Sequence, residues 1–265
     1  MDRQVAVNLL RQETERVAAL ATDDAQTAPV PTCPDWDMSE LVKHLGNVYN
    51  WAGTIVAERL AGPPDREQLS ARPEGVSVRD WMTDRARRSI EALESVPDDA
   101  LIWNFVALTP ASPAFWWRRQ LHETLVHRVD AELTCGKPVS PVEPLIAADL
   151  VSEFFALRRF TIGSQAVEDP AATGTESHPL TIHLHATDVS QPAMDDEDTD
   201  GNPWSEWTID IANNRVTNSH AKGDAGLRGP AWSLAQWVWC RGDTAALETF
   251  GDADRAEAWR REIAF

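Results

Sequence analysis

Residues 114–133 read AFWWRRQLHETLVHRVDAEL. No proline or glycine interrupts this stretch, and Gly136 and Pro138 stand just beyond it. Because these two residue types commonly end helices, the stretch predicts one long helix with a clean stop. It is the last of four helices predicted in the first half of the chain.

The three earlier helices are predicted from apolar residues that recur at helical spacing. They cover residues 2–21, about 37–62 and 77–93, and the second begins at an N-cap, either Asp37 or Ser39. Four helices of similar length joined by loops favour an antiparallel four-helix bundle. We assign residues 1–144 to this predicted bundle domain.

The second half of the chain changes its pattern. A further helix over residues 145–162 is followed by alternating polar and apolar residues, which are typical of half-buried strands. The predicted strands cover residues 180–186, 207–211, 215–217 and 247–250, and two short helices cover residues 230–240 and 253–261. Residues 145–265 are therefore predicted to form a smaller α+β domain, and the whole chain belongs to the α+β class.

Charge and composition exclude several kinds of partner. The chain has 265 residues, with 42 acidic and 24 basic side chains and a net charge of -18. This excess of negative charge disfavours nucleic acid and anionic membranes, which attract basic surfaces. No apolar run is long enough to span a membrane, and the N-terminus does not resemble a secretory signal, so we expect a cytoplasmic protein.

The cysteines indicate neither a disulfide framework nor a thiolate zinc site. Cys33, Cys135 and Cys240 are odd in number, far apart in sequence and contain no CxxC pair. We interpret them as reduced packing residues.

Candidate metal ligands lie on the predicted helices. At about 100° per residue, Glu123 and His127 share one helix face, whereas His122 and His127 are about 140° apart and cannot chelate one ion from a straight helix. His44, within the second predicted helix, lies close to its apolar face and is a candidate third ligand. Two histidines and one glutamate would leave a fourth position open, as in catalytic zinc sites.

Two stretches resemble a known family. Residues 30–46, VPTCPDWDMSELVKHLG, and 119–132, RQLHETLVHRVDAE, are similar to the actinobacterial mycothiol-dependent maleylpyruvate isomerase family. The N-terminal domain of that family resembles the DinB-like metal-binding four-helix bundles. Residues 184–188 and the tryptophan-rich residues 232–241 resemble its smaller second domain.

The resemblance implies a cofactor, a co-substrate and a substrate-binding residue. It implies a divalent metal, most commonly zinc, bound by His44, Glu123 and His127, with mycothiol as the co-substrate. A metal lowers the pKa of a bound thiol and holds it as the nucleophilic thiolate. The resemblance also implies an arginine that holds an anionic substrate, for which Arg241 is the best match and Arg228 the alternative.

Several functions remain open at this level. The resemblance fits cis–trans isomerisation of a maleylpyruvate-like compound, and it also fits a mycothiol S-transferase acting on another electrophile. The 12 tryptophans fit a third hypothesis, a non-catalytic protein that binds a small apolar ligand. We expect a monomer or a homodimer.

Individual side chains also keep alternative interpretations. Asp130 either orients the imidazole of His127 or is an exposed helix carboxylate. His122 is interpreted as a packing residue or an outer partner of the metal site. Trp116 is interpreted as a packing residue that could still reach a cleft between the two predicted domains. His183 and His185 share one face of a predicted strand and could chelate an ion, but we favour the interpretation that they are polar residues on the wet face of a sheet.

Overall fold

In the computed structural model the chain divides into two compact units, Met1–Ser140 and Pro141–Phe265. The structure describes residues 1–65, 69, 71–106, 111–165, 180–189, 205–242 and 244–263. These residues contain seven α-helices and a five-stranded sheet, with the sheet confined to the second unit. The predicted α+β class is therefore confirmed.

The first unit contains four long helices. They are α1 (Arg3–Leu20), α2 (Met38–Glu58), α3 (Val78–Ser95) and α4 (Ala114–Thr134), with a short 3₁₀ turn at Asp23–Ala25. The side chains of Asp2, Asp37 and Ser77 accept backbone N–H groups at the starts of α1, α2 and α3. These caps satisfy donors that have no partner within the helix, which explains where the first three helices begin.

The four helices form a bundle in which each helix packs against two others. Arg3, at the start of α1, donates a hydrogen bond of 2.8 Å to the carbonyl of Val96, just after α3. The two helices therefore run in opposite directions. Cys135, just after α4, donates to the carbonyl of Leu20, the last residue of α1, at 3.7 Å. Hence α1 and α4 run in the same direction.

Helices α2 and α3 approach each other closely at two glycines. A Cβ added at Gly46 would collide with the ring of Trp81, and one added at Gly53 would lie 3.0 Å from Cα of Ser89. Gly53 follows Gly46 on α2, and Ser89 follows Trp81 on α3, so the two helices run in the same direction. The connecting residues 59–77 are numerous enough to reach from the end of α2 back to the start of α3. Helices α1 and α4 are therefore both antiparallel to α2 and α3, as predicted. Within each of the pairs α1 with α4 and α2 with α3, the two helices are parallel.

Helix α4 is buried along most of its length, although it carries many charged residues. Its apolar end packs into an aromatic cluster, where the Trp116 indole donates to the carbonyl of Trp103 at 2.8 Å and packs against Trp51 and Phe115. Trp116 is fully buried, so its interpretation as a packing residue is correct. The polar remainder of α4 faces the interior of the bundle and supplies the candidate site.

The second unit combines three helices with the sheet. Its elements are α5 (Pro144–Gln165), β1 (Thr181–Ala186), β2 (Glu206–Asp210), β3 (Arg215–Thr217), β4 (Ala225–Gly229), α6 (Ala231–Val238), β5 (Glu248–Gly251) and α7 (Ala253–Glu262). The strand order is β3-β2-β1-β4-β5. Neighbouring strands are antiparallel except β1 and β4, which are parallel.

Strand β1 has one buried and one polar face. Ile182 and Leu184 are fully buried, and α6 packs against β1 and β4. His183 and His185 alternate with them and are partly exposed. The predicted alternation is confirmed, but the sequence did not predict β4, which pairs with β1 in the middle of the sheet.

Candidate metal centre

Helices α2 and α4 bring together three side chains that can bind a metal. His44, Glu123 and His127 each offer one ligand atom, and these atoms all lie within 4.8 Å of one another. Glu123 Oε1 lies 2.8 Å from His44 Nε2 and 3.4 Å from His127 Nε2. We call this group the bundle centre. Glu123 and His127 share a face because they are one turn apart on α4, and His44 faces them from α2.

The loop before α2 positions an aromatic ring over the bundle centre. Val30 N–H donates to the carbonyl of Trp36 at 2.9 Å, which closes this loop. The Trp36 ring lies 4.9 Å from the ring of His44 and 5.9 Å from that of His127, measured between centroids. One side of the two imidazoles is thereby covered. Trp36 lies in a loop, so the helical spacing that predicts the ligands gives no signal for it.

Asp130 orients His127 from the buried side. It is fully buried, and its Oδ2 lies 2.8 Å from Nδ1 of His127. Thr32 Oγ1 donates to the other oxygen of Asp130, and the Cys33 thiol lies 4.0 Å from Oδ2. Of the two interpretations of Asp130, the orienting role is therefore the one that the structure supports. Such outer partners fix which ring nitrogen of a histidine faces a metal.

Arg119 is a further buried member of the site. Its Nη2 forms an ion pair with Oε2 of Glu123, one turn along α4. The side chains of Arg119 and Glu123 are 7% and 15% exposed, so this charge pair is largely shielded from water. With Oε2 engaged by Arg119, Oε1 is the oxygen that faces His44 and His127. The i,i+4 spacing of Arg119 and Glu123 was the signal available in the sequence.

A buried hydrogen-bond chain fixes α2 against α4 beside the bundle centre. Tyr49 lies on α2, and its hydroxyl is 2.7 Å from Thr124 Oγ1 of α4 and 3.2 Å from Thr14 Oγ1 of α1. Burial raises the pKa of Tyr49 to about 12, although the hydrogen bonds that its hydroxyl shares with the two threonines lower it. The phenol therefore stays neutral and can link the three helices at ordinary pH.

The first unit matches a described protein family. Residues 7–132 match the family described as "Mycothiol maleylpyruvate isomerase N-terminal domain". The first unit is therefore similar to this domain family. The match includes His44, Glu123 and His127 and covers all four helices except the ends of α1 and α4. No curated protein sequence matches the chain.

Two solved structures resemble the whole chain in fold. They are crystal structures of the mycothiol-dependent maleylpyruvate isomerase and of a histidine-to-alanine mutant of it, with TM-scores of 0.52 and 0.53. Each is 12% identical and covers 94% of this chain and 93% of the other. The likeness confirms the resemblance in fold, both for the helical N-terminal part and for the sheet-containing C-terminal part.

The remaining candidate residues are not members of the bundle centre. His122 is fully buried on α4, as expected for a packing residue. Arg241 belongs to the second unit, where it is 8% exposed and donates from Nη1 to the carbonyl of Trp239 at 2.8 Å. Arg228, on β4, forms an exposed ion pair of 3.1 Å with Glu248. No helix among the described residues is both long and apolar enough to cross a membrane.

Proposed function

We propose that the chain is a zinc-dependent enzyme that uses the low-molecular-weight thiol mycothiol. The observation that carries this proposal is the convergence of His44, Glu123 and His127, three residues within the matched domain, on one point between α2 and α4. The fold likeness to the mycothiol-dependent isomerase supports a thiol co-substrate. Cys33, Cys135 and Cys240 form no disulfides. The reactive sulfur would therefore come from the co-substrate.

The donor set of the bundle centre fits zinc. Two imidazole nitrogens and one carboxylate oxygen are the protein ligands of many catalytic zinc sites, in which the fourth position takes water or substrate. A zinc ion held there would lower the pKa of a bound thiol and keep it as the nucleophilic thiolate. Asp130, which accepts from Nδ1 of His127, leaves Nε2 of that ring to serve as the ligand atom.

The surrounding residues leave one side of the bundle centre accessible. Trp36 covers the imidazole rings, and Arg119 neutralises the charge of Glu123 from the buried side. The His44 side chain is 33% exposed, compared with 9% for His127. A thiol and its electrophile therefore approach from the side of His44.

The reaction that we propose is a reversible thiol addition. The thiolate attacks one carbon of a cis double bond conjugated to a carbonyl, and the electron pair moves to the carbonyl oxygen as an enolate. The former double bond is now single and rotates. The enolate then reforms the double bond and expels the thiolate, which gives the trans isomer without consuming thiol. Arg241, with Arg228 as the alternative, is our candidate for binding the carboxylate groups of such a substrate.

Metal content and thiol dependence test the proposal together. We expect chelator-free protein to contain zinc by elemental analysis and His44→Ala to contain one equivalent less, with Lys43→Ala, an exposed neighbour, as control. Maleylpyruvate absorbance should disappear only when mycothiol and metal are both supplied. A conjugate that accumulates instead would make the enzyme an S-transferase. Protein without metal above background would contradict the proposal.

Asp130→Asn is expected to weaken zinc binding without removing a ligand. The amide keeps the size of the carboxylate, but it loses the negative charge that fixes and polarises His127. Replacing such outer partners costs roughly 10–100-fold in metal affinity or activity. Competition with a chromogenic chelator measures the affinity, and the exposed carboxylate of the same region, changed as Asp35→Asn, is the control. Equal affinities of Asp130→Asn and wild type would contradict the role of Asp130.

A further inference from the structure

A second cluster of metal-binding side chains lies on the sheet of the second unit. It consists of His183 on β1, Glu206 on β2 and His220 after β3, with ligand atoms all within 4.8 Å of one another. We call it the sheet cluster. His183 Nε2 and His220 Nδ1 lie 2.8 and 2.6 Å from the same oxygen of Glu206, Oε2. Two imidazole nitrogens from separate elements thus converge on one carboxylate oxygen.

Strand register places two members of the sheet cluster on one face. In the antiparallel pair of β1 and β2, His185 lies opposite Glu206 and His183 lies opposite Thr208. Residues two apart along a strand share a face, so His183 and Glu206 are diagonal neighbours there. Diagonal neighbours are close enough for long side chains to meet. His185, the other histidine considered from the sequence, is not a member of the cluster.

The third member is held in place by the loop that carries it. Thr208 Oγ1 donates to the carbonyl of Ser219 at 2.8 Å, and Asn218 Nδ2 donates to the carbonyl of Glu206 at 3.4 Å. These bonds attach the residues before His220 to β2. These hydrogen bonds therefore hold the imidazole of His220 beside Glu206.

The chemistry and exposure of the sheet cluster suit an ion that reaches it from solvent. The rings of His183 and His220 are nearly perpendicular, at 88°, with centroids 5.3 Å apart. The side chains of His183 and Glu206 are 15% and 12% exposed, whereas that of His220 is 78% exposed. Two largely shielded side chains and one exposed side chain leave the cluster open to solvent on the side of His220.

From this arrangement we infer that the sheet cluster is a second metal site, separate from the bundle centre, that binds a borderline divalent cation such as zinc. The set of two imidazoles and one carboxylate is one that zinc favours, and water or a small anion completes a four-coordinate shell. All three ligands belong to the second unit, so the site does not depend on His44, Glu123 or His127.

The inference is tested in full-length protein that lacks a ligand of the bundle centre. We expect His44→Ala protein to bind one equivalent of Co²⁺ with the visible absorption of a four-coordinate ion, and Zn²⁺ to displace it. Adding His220→Ala should weaken binding by more than the roughly 10–100-fold that loss of an outer partner costs. Because His220 is exposed on a loop, this change should leave the fold intact, and Glu206→Gln provides a second variant.

Lys222→Ala, an exposed residue two positions beyond His220, is the matched control and should bind Co²⁺ as tightly as His44→Ala alone. The inference would be overturned if His44→Ala protein bound no Co²⁺. It would also be overturned if His220→Ala and Glu206→Gln changed nothing. The sheet cluster would then be a hydrogen-bonded group without a metal. Neither result affects the proposed zinc at the bundle centre. That zinc is measured separately, as the difference in metal content between wild type and His44→Ala.

Discussion

Glu123→Gln is expected to abolish zinc binding at the bundle centre and thiol-dependent activity together. Glu123 Oε1 is 2.8 Å from His44 Nε2 and 3.4 Å from His127 Nε2, so it lies between the two histidines that we propose as ligands. The change replaces the anionic donor of the three by a neutral amide, which is a poor ligand for zinc. The loss of zinc affinity should exceed the roughly 10–100-fold loss that follows from replacing a residue that only orients a metal ligand. Elemental analysis and the mycothiol-dependent assay measure it.

A second variant separates loss of a ligand from loss of the fold. Glu123→Gln leaves the buried guanidinium of Arg119 without its carboxylate, so far-UV circular dichroism must accompany the assay. His44→Ala removes a ligand that is one-third exposed and leaves that charge pair intact. Glu40→Gln changes an exposed carboxylate one turn before His44 and should behave as wild type. If both ligand variants kept full zinc content, the bundle centre would not be the metal site.

The bundle centre could be predicted in part because helical spacing is a local property. Glu123 and His127 are one turn apart in any straight helix, so the sequence alone places them on one face. His44 lies on a different helix, so spacing alone does not identify it as the third ligand. It was predicted from its position near the apolar face of that helix and from the resemblance to a family. Asp130 stayed ambiguous, since its orientation toward His127 depends on burial, and burial depends on the neighbouring helices.

The sequence did not predict the features whose position depends on contacts between distant parts of the chain. Trp36 reaches the bundle centre through the closure of its loop, and β4 was overlooked because Ala225–Gly229 contains two glycines, which strands disfavour. Its pairing with β1 outweighs that preference. Glu206 and His220 likewise meet His183 only through strand register and loop hydrogen bonds. The sequence therefore favoured a wet sheet face over a ligand site there.

Arg128→Met is expected to lower the free energy of unfolding by about 3–5 kcal/mol, the usual result of removing one partner of a buried ion pair. The Arg128 side chain is fully buried on α4. Its Nε lies 2.8 Å from Glu13 of α1, and its Nη1 lies 2.9 Å from Glu132 and donates to the carbonyl of Ser140 at 3.0 Å. Methionine fills similar space but removes the buried cation that pairs with Glu13 and Glu132, while the more distant Arg16, at 3.7 Å, still pairs with Glu13. Denaturation with urea measures the loss.

The pH dependence of that loss distinguishes the charge effect from a packing defect. Burial raises the pKa of Glu13, and Arg128 lowers it, so the variant should raise this pKa further. A carboxyl group whose pKa is higher in the folded than in the unfolded protein contributes stability at low pH and loses it as pH rises. The deficit of Arg128→Met should therefore be smaller at about pH 5 than at about pH 7.

The matched control is Arg11→Met, which breaks a 2.6 Å surface ion pair between Arg11 of α1 and Glu94 of α3. Surface pairs of this kind contribute about 1 kcal/mol or less. The control should therefore show a small effect. A deficit for Arg128→Met that matched the control, or that stayed constant between the two pH values, would contradict the assignment. Arg128 would then contribute through packing alone, and the buried carboxylates would not need its charge.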